Sequence, residues 1–315
     1  MLKIEPNKPF QATWDMSNNR LNPDNGLLYN IIDKIKNFLF YLPISLIAAC
    51  VNPRSESEFH PSSYEGYFNK KIITPDQVHL SAHIRLAHGA NPQTPTVILF
   101  NPLGASSSIH DELQAKLVER RCNVVTFDYR GLGTTWRPED LVVDGESVFQ
   151  YVTQELGTTI NKVHFYGFSL GGAIAAQVKA LHPESTGKYA GDRPFSSVFS
   201  LLTENFCIEC LGWLVKKITS FVFSIFIAYP VYLLGWEWDG VKALSRLTGD
   251  KRIIYHPNDS LVPVEASLAS KCPLQQRIGL DPKETGFSTH FAPIGAHLTD
   301  SQQNASTVVA DFLAN

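Results

Sequence analysis

Charge is scarce in this chain. Asp, Glu, Lys and Arg make up 18% of its 315 residues, below the roughly one quarter usual for a soluble domain. The 30 acidic and 27 basic side chains leave a formal net charge of −3. With no surplus of positive charge to neutralise phosphates, nucleic acid is not an expected partner. Cysteine is also sparse. Cys50, Cys122, Cys207, Cys210 and Cys272 are odd in number and lack framework spacing, which excludes a disulfide scaffold. Cys207-Ile208-Glu209-Cys210 is a lone CxxC with no second pair beside it, so apolar packing is expected there rather than metal or redox chemistry. Internal repeats and low-complexity tracts are absent too, which leaves one large α/β domain, with or without insertions, as the organisation that the length suggests. Apolar side chains are plentiful, at 44% with 11% aromatic, and predict greasy surface somewhere on the molecule.

One stretch organises the rest: Lys162-Val163-His164-Phe165-Tyr166-Gly167-Phe168-Ser169-Leu170-Gly171-Gly172. An apolar, aromatic run that reads as a buried parallel strand stops at Gly167, and a helix-forming run, Ala173 to Val178, begins almost at once. Between them sits Gly-x-Ser-x-Gly in a strand–turn–helix context. A strand that reverses into a helix within one residue forces strained torsions on Ser169, and glycines two residues to either side leave room for neighbouring backbone. Such a turn presents the Ser169 hydroxyl above the sheet edge with the first helix amides behind it.

On these residues the chain resembles the α/β-hydrolase superfamily. The resemblance implies a mostly parallel central sheet flanked by helices, and a nucleophile, acid and base in the chain order Ser, Asp or Glu, His. Asp128-Tyr129-Arg130-Gly131-Leu132-Gly133 resembles the superfamily's Asp-x-Arg-Gly-x-Gly turn, and Asp128 and Arg130 are expected to form a structural pair. After the strand Arg252 to His256, the segment Pro257-Asn258-Asp259-Ser260-Leu261-Val262-Pro263 is similar to the family's acid loop, which implies Asp259 as the acid. Two histidines then compete for the base. His290 lies mid-loop, whereas His297 immediately precedes the closing helix around Thr307 to Leu313, where the family places its base, so His297 is the expected base. The strand Thr96 to Phe100 is followed by Asn101-Pro102-Leu103-Gly104 in place of the family's His-Gly. Pro102 has no amide hydrogen, so the amides of Leu103 and Leu170 are the expected oxyanion donors.

Elsewhere the sequence is read from its patterning. Residues 1–68 form an N-terminal arm carrying an apolar run, Phe38 to Val51, too short for the roughly 20 residues of a spanning helix and expected to be a buried or membrane-surface amphipathic helix. Residues 69–202 are the first part of the core. They begin with two alternating strands, Lys70 to Thr74 and Val78 to Leu86, joined as a hairpin at Pro75-Asp76-Gln77. Helices are expected over Leu113 to Arg120 and Pro138 to Glu155, and strands over Asn123 to Phe127, Ser197 to Leu202 and Leu274 to Ile278. Residues 203–249 are a cap or lid insertion, in which Ile218 to Trp236 carries no charge. A single bilayer crossing there would separate Ser169 from Asp259 and His297, so a lid, a re-entrant hairpin bent near Pro230 or an interfacial helix is expected, the lid foremost. Residues 250–315 complete the core.

The parts together imply a serine hydrolase of the esterase or lipase kind, with thioester and amide cleavage open to the same machinery. Its expected substrate is an acyl ester or lipid, with no cofactor and with peripheral membrane contact. The different-class alternative is a catalytically silent hydrolase fold serving as a membrane- or partner-binding module. The layout is also loosely similar to hydrolase-like proteins of intracellular bacteria such as Legionella and Chlamydia, which implies a bacterial protein, cytoplasmic or secreted.

Overall fold

The computed structural model describes residues 8–13, 66–102, 105, 107–130, 138–205, 239–259, 261–281, 289–290, 297–298 and 301–315. The apolar run 38–51, the lone CxxC and the uncharged run 218–236 lie outside the described residues. Among the described residues, nine strands form one sheet: β1 (Phe10–Gln11), β2 (Tyr67–Ile73), β3 (His79–Arg85), β4 (Thr96–Phe100), β5 (Asn123–Asp128), β6 (Val163–Phe168), β7 (Tyr189–Asp192), β8 (Lys251–Tyr255) and β9 (Arg277–Gly279). Their spatial order is β1-β2-β3-β5-β4-β6-β7-β8-β9. The β2–β3 hairpin and its pairing with β5 are antiparallel, and from β5 to β9 every pairing is parallel.

Helices cover both faces, and the strand sequences show why. Every residue of β4 and β6 is buried, as expected for parallel strands packed on two sides. On β6, Val163 and Phe165 face one core, while Tyr166 and Phe168 face the other. The first core holds α2 (Pro138–Gln150), α3 (Leu170–Ala180) and α5 (Gly240–Arg246); the second holds α1 (Asp111–Glu119) and α6 (Ala305–Ala314). Phe100, Phe127 and Phe165 interlock in the first, with Phe100 edge-on to Phe127 at 5.3 Å between ring centroids. Each such aromatic pair adds about 0.5–1.5 kcal/mol beyond burial.

The chain runs outward from β4 to β5 and then returns past β4 to β6 on the other side. Open α/β sheets place their ligand crevice at such a reversal, beyond the carboxyl ends of the strands. The register brings those ends level: Phe100 pairs with Gly167, Phe168 with Asp192, and Asp192 with Ile254.

Three expectations are corrected. Ser197 to Leu202 is not a strand; Val198–Asn205 is helix α4, and the Ser197 hydroxyl accepts the Ser200 amide at 3.0 Å, as an N-cap does. The sheet position belongs to β7, whose Tyr-Ala-Gly-Asp sequence carries no β-branched residue to announce it. The last strand is displaced: Leu274–Gln276 is a 3₁₀ turn, and pairing begins only at Arg277. Arg130 does not pair with Asp128. Its guanidinium meets Asp144 at 2.7 Å and Asp76 at 2.7 Å, and its amide also donates to Asp144. The physical reason is burial. Asp144 is fully enclosed on α2 and requires a cation, whereas the Asp128 carboxylate is more exposed and accepts from Asn101 Nδ2.

Beyond the end of α3, His182 stacks on Phe149 at 4.0 Å, its Nε2 donates to Glu146 at 2.7 Å when protonated, and Glu184 lies 3.3 Å from Nδ1. Burial works to lower its pKa, but the Glu146 and Glu184 carboxylates prevail and raise it. A histidine raised in the folded state stabilises the protein below the unfolded value of about 6.5, and that stability is lost as pH climbs through the folded value. Thermal unfolding of the wild type is therefore expected to show a decline in melting temperature above about pH 6.5 that His182→Gln flattens.

Candidate active site

Ser169 follows the last residue of β6 and precedes the first of α3, with φ 53° and ψ −119°. That left-handed backbone is costly for a residue with a Cβ, and the surroundings enforce it. The Ser169 amide donates to the Asp192 carbonyl at 2.8 Å, and its carbonyl accepts from Gly172 at 3.0 Å. The helix turns back so tightly that a Cβ on Gly171 would lie 2.2 Å from the Phe100 carbonyl oxygen, and one on Gly167 would lie 2.3 Å from that of Gly171. Tyr189, on β7, donates its hydroxyl to the Gly172 carbonyl at 2.8 Å and anchors the first turn of α3.

Two loops meet the serine. Asp259 follows β8, and its carboxylate accepts the amides of Leu261 and Val262 at 2.9 and 2.8 Å. His290 Nδ1 lies 2.8 Å from Asp259 Oδ2 and 3.0 Å from Oδ1, while its Nε2 lies 2.8 Å from Ser169 Oγ. A carboxylate only accepts, so Nδ1 carries the proton and Nε2 offers its lone pair to the serine hydroxyl. Asp259 and His290 are both buried, which removes water as a competitor for these bonds.

Of the expected residues, Ser169 and Asp259 come together, but the histidine that joins them is His290, not His297. His297 belongs to a two-residue strand, β10 (His297–Leu298), which pairs with β11 (Ser301–Asn304) and sets His297 opposite Asn304. This small hairpin lies between the loop bearing His290 and α6, so the histidine nearest the closing helix belongs to a different element. His290 gave no periodic signal because it sits in a turn; its only sequence mark was a position after the acid loop. Leu170 opens α3, and its amide is among those with no acceptor inside the helix. Leu103 lies outside the described residues. Two supporting residues went unnoticed in the sequence: Asp192 and Arg193, at the carboxyl end of β7.

Residues 86–298 match the Alpha/beta hydrolase family, more than half of the chain and all three hydrogen-bonded side chains. The chain belongs to that family. It is 26% identical over 159 residues to uncharacterized protein R595 of Acanthamoeba polyphaga mimivirus, covering 45% of this chain and 49% of that one. It is 24% identical over 173 residues to protein bem46 of Schizosaccharomyces pombe, covering 52% and 58%. The chain thus spans about half the length of the curated relatives it matches. Among solved structures, 2,6-dihydroxy-pseudo-oxynicotine hydrolase aligns with a TM-score of 0.53 at 16% identity, over 79% of this chain and 67% of that one. Acetyl xylan esterase from Paenibacillus sp. R4 aligns with a TM-score of 0.52 at 14% identity, over 72% and 81%. At these identities the structural likeness establishes the fold, a sheet of hydrolase topology shared with esterases.

Because a methyl group at Gly171 meets backbone rather than a yielding side chain, Gly171→Ala is expected to destabilise the protein by about 1–3 kcal/mol or more, read as a lowered midpoint in denaturant unfolding.

Proposed function

We propose that the protein is a serine hydrolase that cleaves carboxylic esters through an acyl-enzyme. The observation that carries this reading is the continuous hydrogen-bond path from Ser169 Oγ through the His290 ring to Asp259. In the proposed reaction, Ser169 Oγ attacks the acyl carbonyl while His290 Nε2 takes its proton. Asp259 holds the Nδ1–H tautomer and stabilises the imidazolium that forms. The carbonyl oxygen, now negative, is received by the Leu170 amide at the positive end of α3, with the Leu103 amide as the second donor. His290 then protonates the departing alcohol. Water enters, gives a proton to His290 and attacks the acyl carbon; as the bond to Ser169 Oγ breaks, His290 returns that proton to Oγ, releasing the acid and restoring Ser169.

The substrate class proposed is a lipid or fatty-acyl ester. Its support is apolar surface and sequence: Ile109, in the 3₁₀ turn after the β4 loop, and Leu261, two residues after Asp259, are 40% and 45% exposed, and the sequence carries the uncharged run 218–236. Contact with a lipid surface would be peripheral. Among the described residues no helix is long and apolar enough to cross a membrane.

Two measurements test the reading. In steady-state hydrolysis of p-nitrophenyl esters, His290→Ala is expected to lower kcat by about 10³-fold or more, while His297→Ala stays near wild type. The reverse order would transfer the base to His297. With the same esters, kcat/KM is expected to rise from acetate to octanoate; a preference for acetate would remove the fatty-acyl assignment while leaving the hydrolase.

A further inference from the structure

The three loops that carry Ser169, Asp259 and His290 come from distant parts of the chain, and a 2.8 Å contact at each junction requires them to share a rigid frame. The dipeptide Asp192-Arg193 bonds directly to the first and third and reaches the second through Thr289. The Asp192 carbonyl accepts the Ser169 amide at 2.8 Å. One arm of Arg193 donates to the Thr289 carbonyl, immediately before His290, at 3.1 Å. The Thr289 hydroxyl in turn donates to the carbonyl of Asn258, immediately before Asp259, at 2.5 Å. The Arg193 amide reaches the Ile254 carbonyl on β8 at 2.8 Å, which ties the dipeptide to the strand that launches the acid loop.

The dipeptide is built at a cost. Adjacent residues of an extended strand point to opposite faces, yet the Arg193 guanidinium folds back onto the Asp192 carboxylate, Nε to Oδ1 at 2.9 Å and a terminal nitrogen to Oδ2 at 3.0 Å. It does so because Arg193 has φ 50°, a left-handed conformation for a large side chain. Both residues are nearly inaccessible, and a buried ion pair contributes little net stability. Burial opposes the Arg193 charge, but Asp192 first, and Asp259 at longer range, hold it protonated. Asp192 Oδ2 also accepts the Tyr166 hydroxyl at 2.9 Å. Edge-on to Tyr166 stands His110, kept neutral by burial with its pKa lowered to about 4. Finally, the Arg193 guanidinium lies 4.5 Å from the Phe168 ring centroid, and that same ring stacks on His290 at 5.4 Å.

We propose that Arg193, held by Asp192, is a positioning residue for the reaction. It sets the ring of His290 between Ser169 and Asp259 by fixing the Thr289 carbonyl and the Phe168 ring. The proposal rests on the serine-hydrolase reading for its kinetic consequence, but its structural consequence is independent of turnover: the Nδ1 proton of His290 is locked toward Asp259.

The test combines kinetics with proton NMR. In the wild type, the buried Nδ1–H of His290 is expected as a resolved resonance far downfield of the amides, assigned by its loss in His290→Gln. The double variant Asp192→Asn/Arg193→Met removes both charges together, so no unpaired ion is left in the core. It is expected to fold, to lose or shift that resonance, and to lose about 100-fold in kcat with KM within about threefold. Arg193→Lys keeps a cation beside Asp192 but lacks the arm that reaches Thr289. It is expected to show a smaller loss in the same direction, and it decides the matter if the double variant does not fold. A folded variant with the resonance in place and wild-type kcat overturns the proposal. So does a kcat loss with an unmoved resonance, or a wild type that shows no such resonance. A resonance that moves as expected in a protein that hydrolyses no ester would uphold the positioning role and remove the hydrolase reading.

Discussion

The tight reversal at Ser169 is the constraint on which the rest of this structure depends. To place a serine hydroxyl at the top of β6 with α3 directly behind it, the backbone at Ser169 must be left-handed, and that state persists only where its surroundings fix it. Here they do so from three sides. The Phe100 carbonyl closes on Gly171, Asp192 accepts the serine amide, and Tyr189 clamps the first turn of the helix. The fully buried β4 and β6, the alanine-rich α3 and the level carboxyl ends of the parallel strands are all means to that end. A bulkier helix would sit too far from β4 for the reversal to close.

Several of the charges of this chain are used inside it. Arg130 with Asp144 and Asp76, Arg193 with Asp192, and Lys70 with Glu155 all pair where at least one partner is removed from water. Such pairs are poor sources of net stability, so their value lies in fixing where loops begin. Arg130 ties the segment after β5 to α2 and to the β2–β3 turn. Arg193 ties the end of β7 to the loop bearing His290. Buried charge thus does at the carboxyl ends of the strands what aromatic packing does in the two cores.

Much of the frame was legible in the sequence because its signals are local. The apolar run before Gly167 and the alanines after Gly172 specified β6 and α3 without reference to any other part of the chain, and alternation specified the β2–β3 hairpin. Most of the misreadings have determinants that are distant in the chain, and one turns on a local helix cap. Ser197 to Leu202 has strand-like composition but is capped by Ser197, while the real strand, Tyr189–Asp192, exists because β6 and β8 flank it. Arg130 is drawn to a carboxylate fourteen positions away by that group's burial. His290 was passed over for His297 because closeness to the last helix along the chain stood in for closeness to Ser169 in space. The intervening β10–β11 hairpin is what separates the two. Asp259, which bonds to His290, was easier to place, since a turn after a strand leaves its mark within a few residues.

The central claim, that Ser169 is a nucleophile activated by His290, is tested most directly by covalent capture. The protein would be treated with a fluorophosphonate and the modified residue located by peptide mass spectrometry. A single adduct on Ser169, abolished in Ser169→Ala and strongly slowed in His290→Ala, is the predicted result. A folded wild-type protein that takes up no label, or carries it on another residue, would contradict the account.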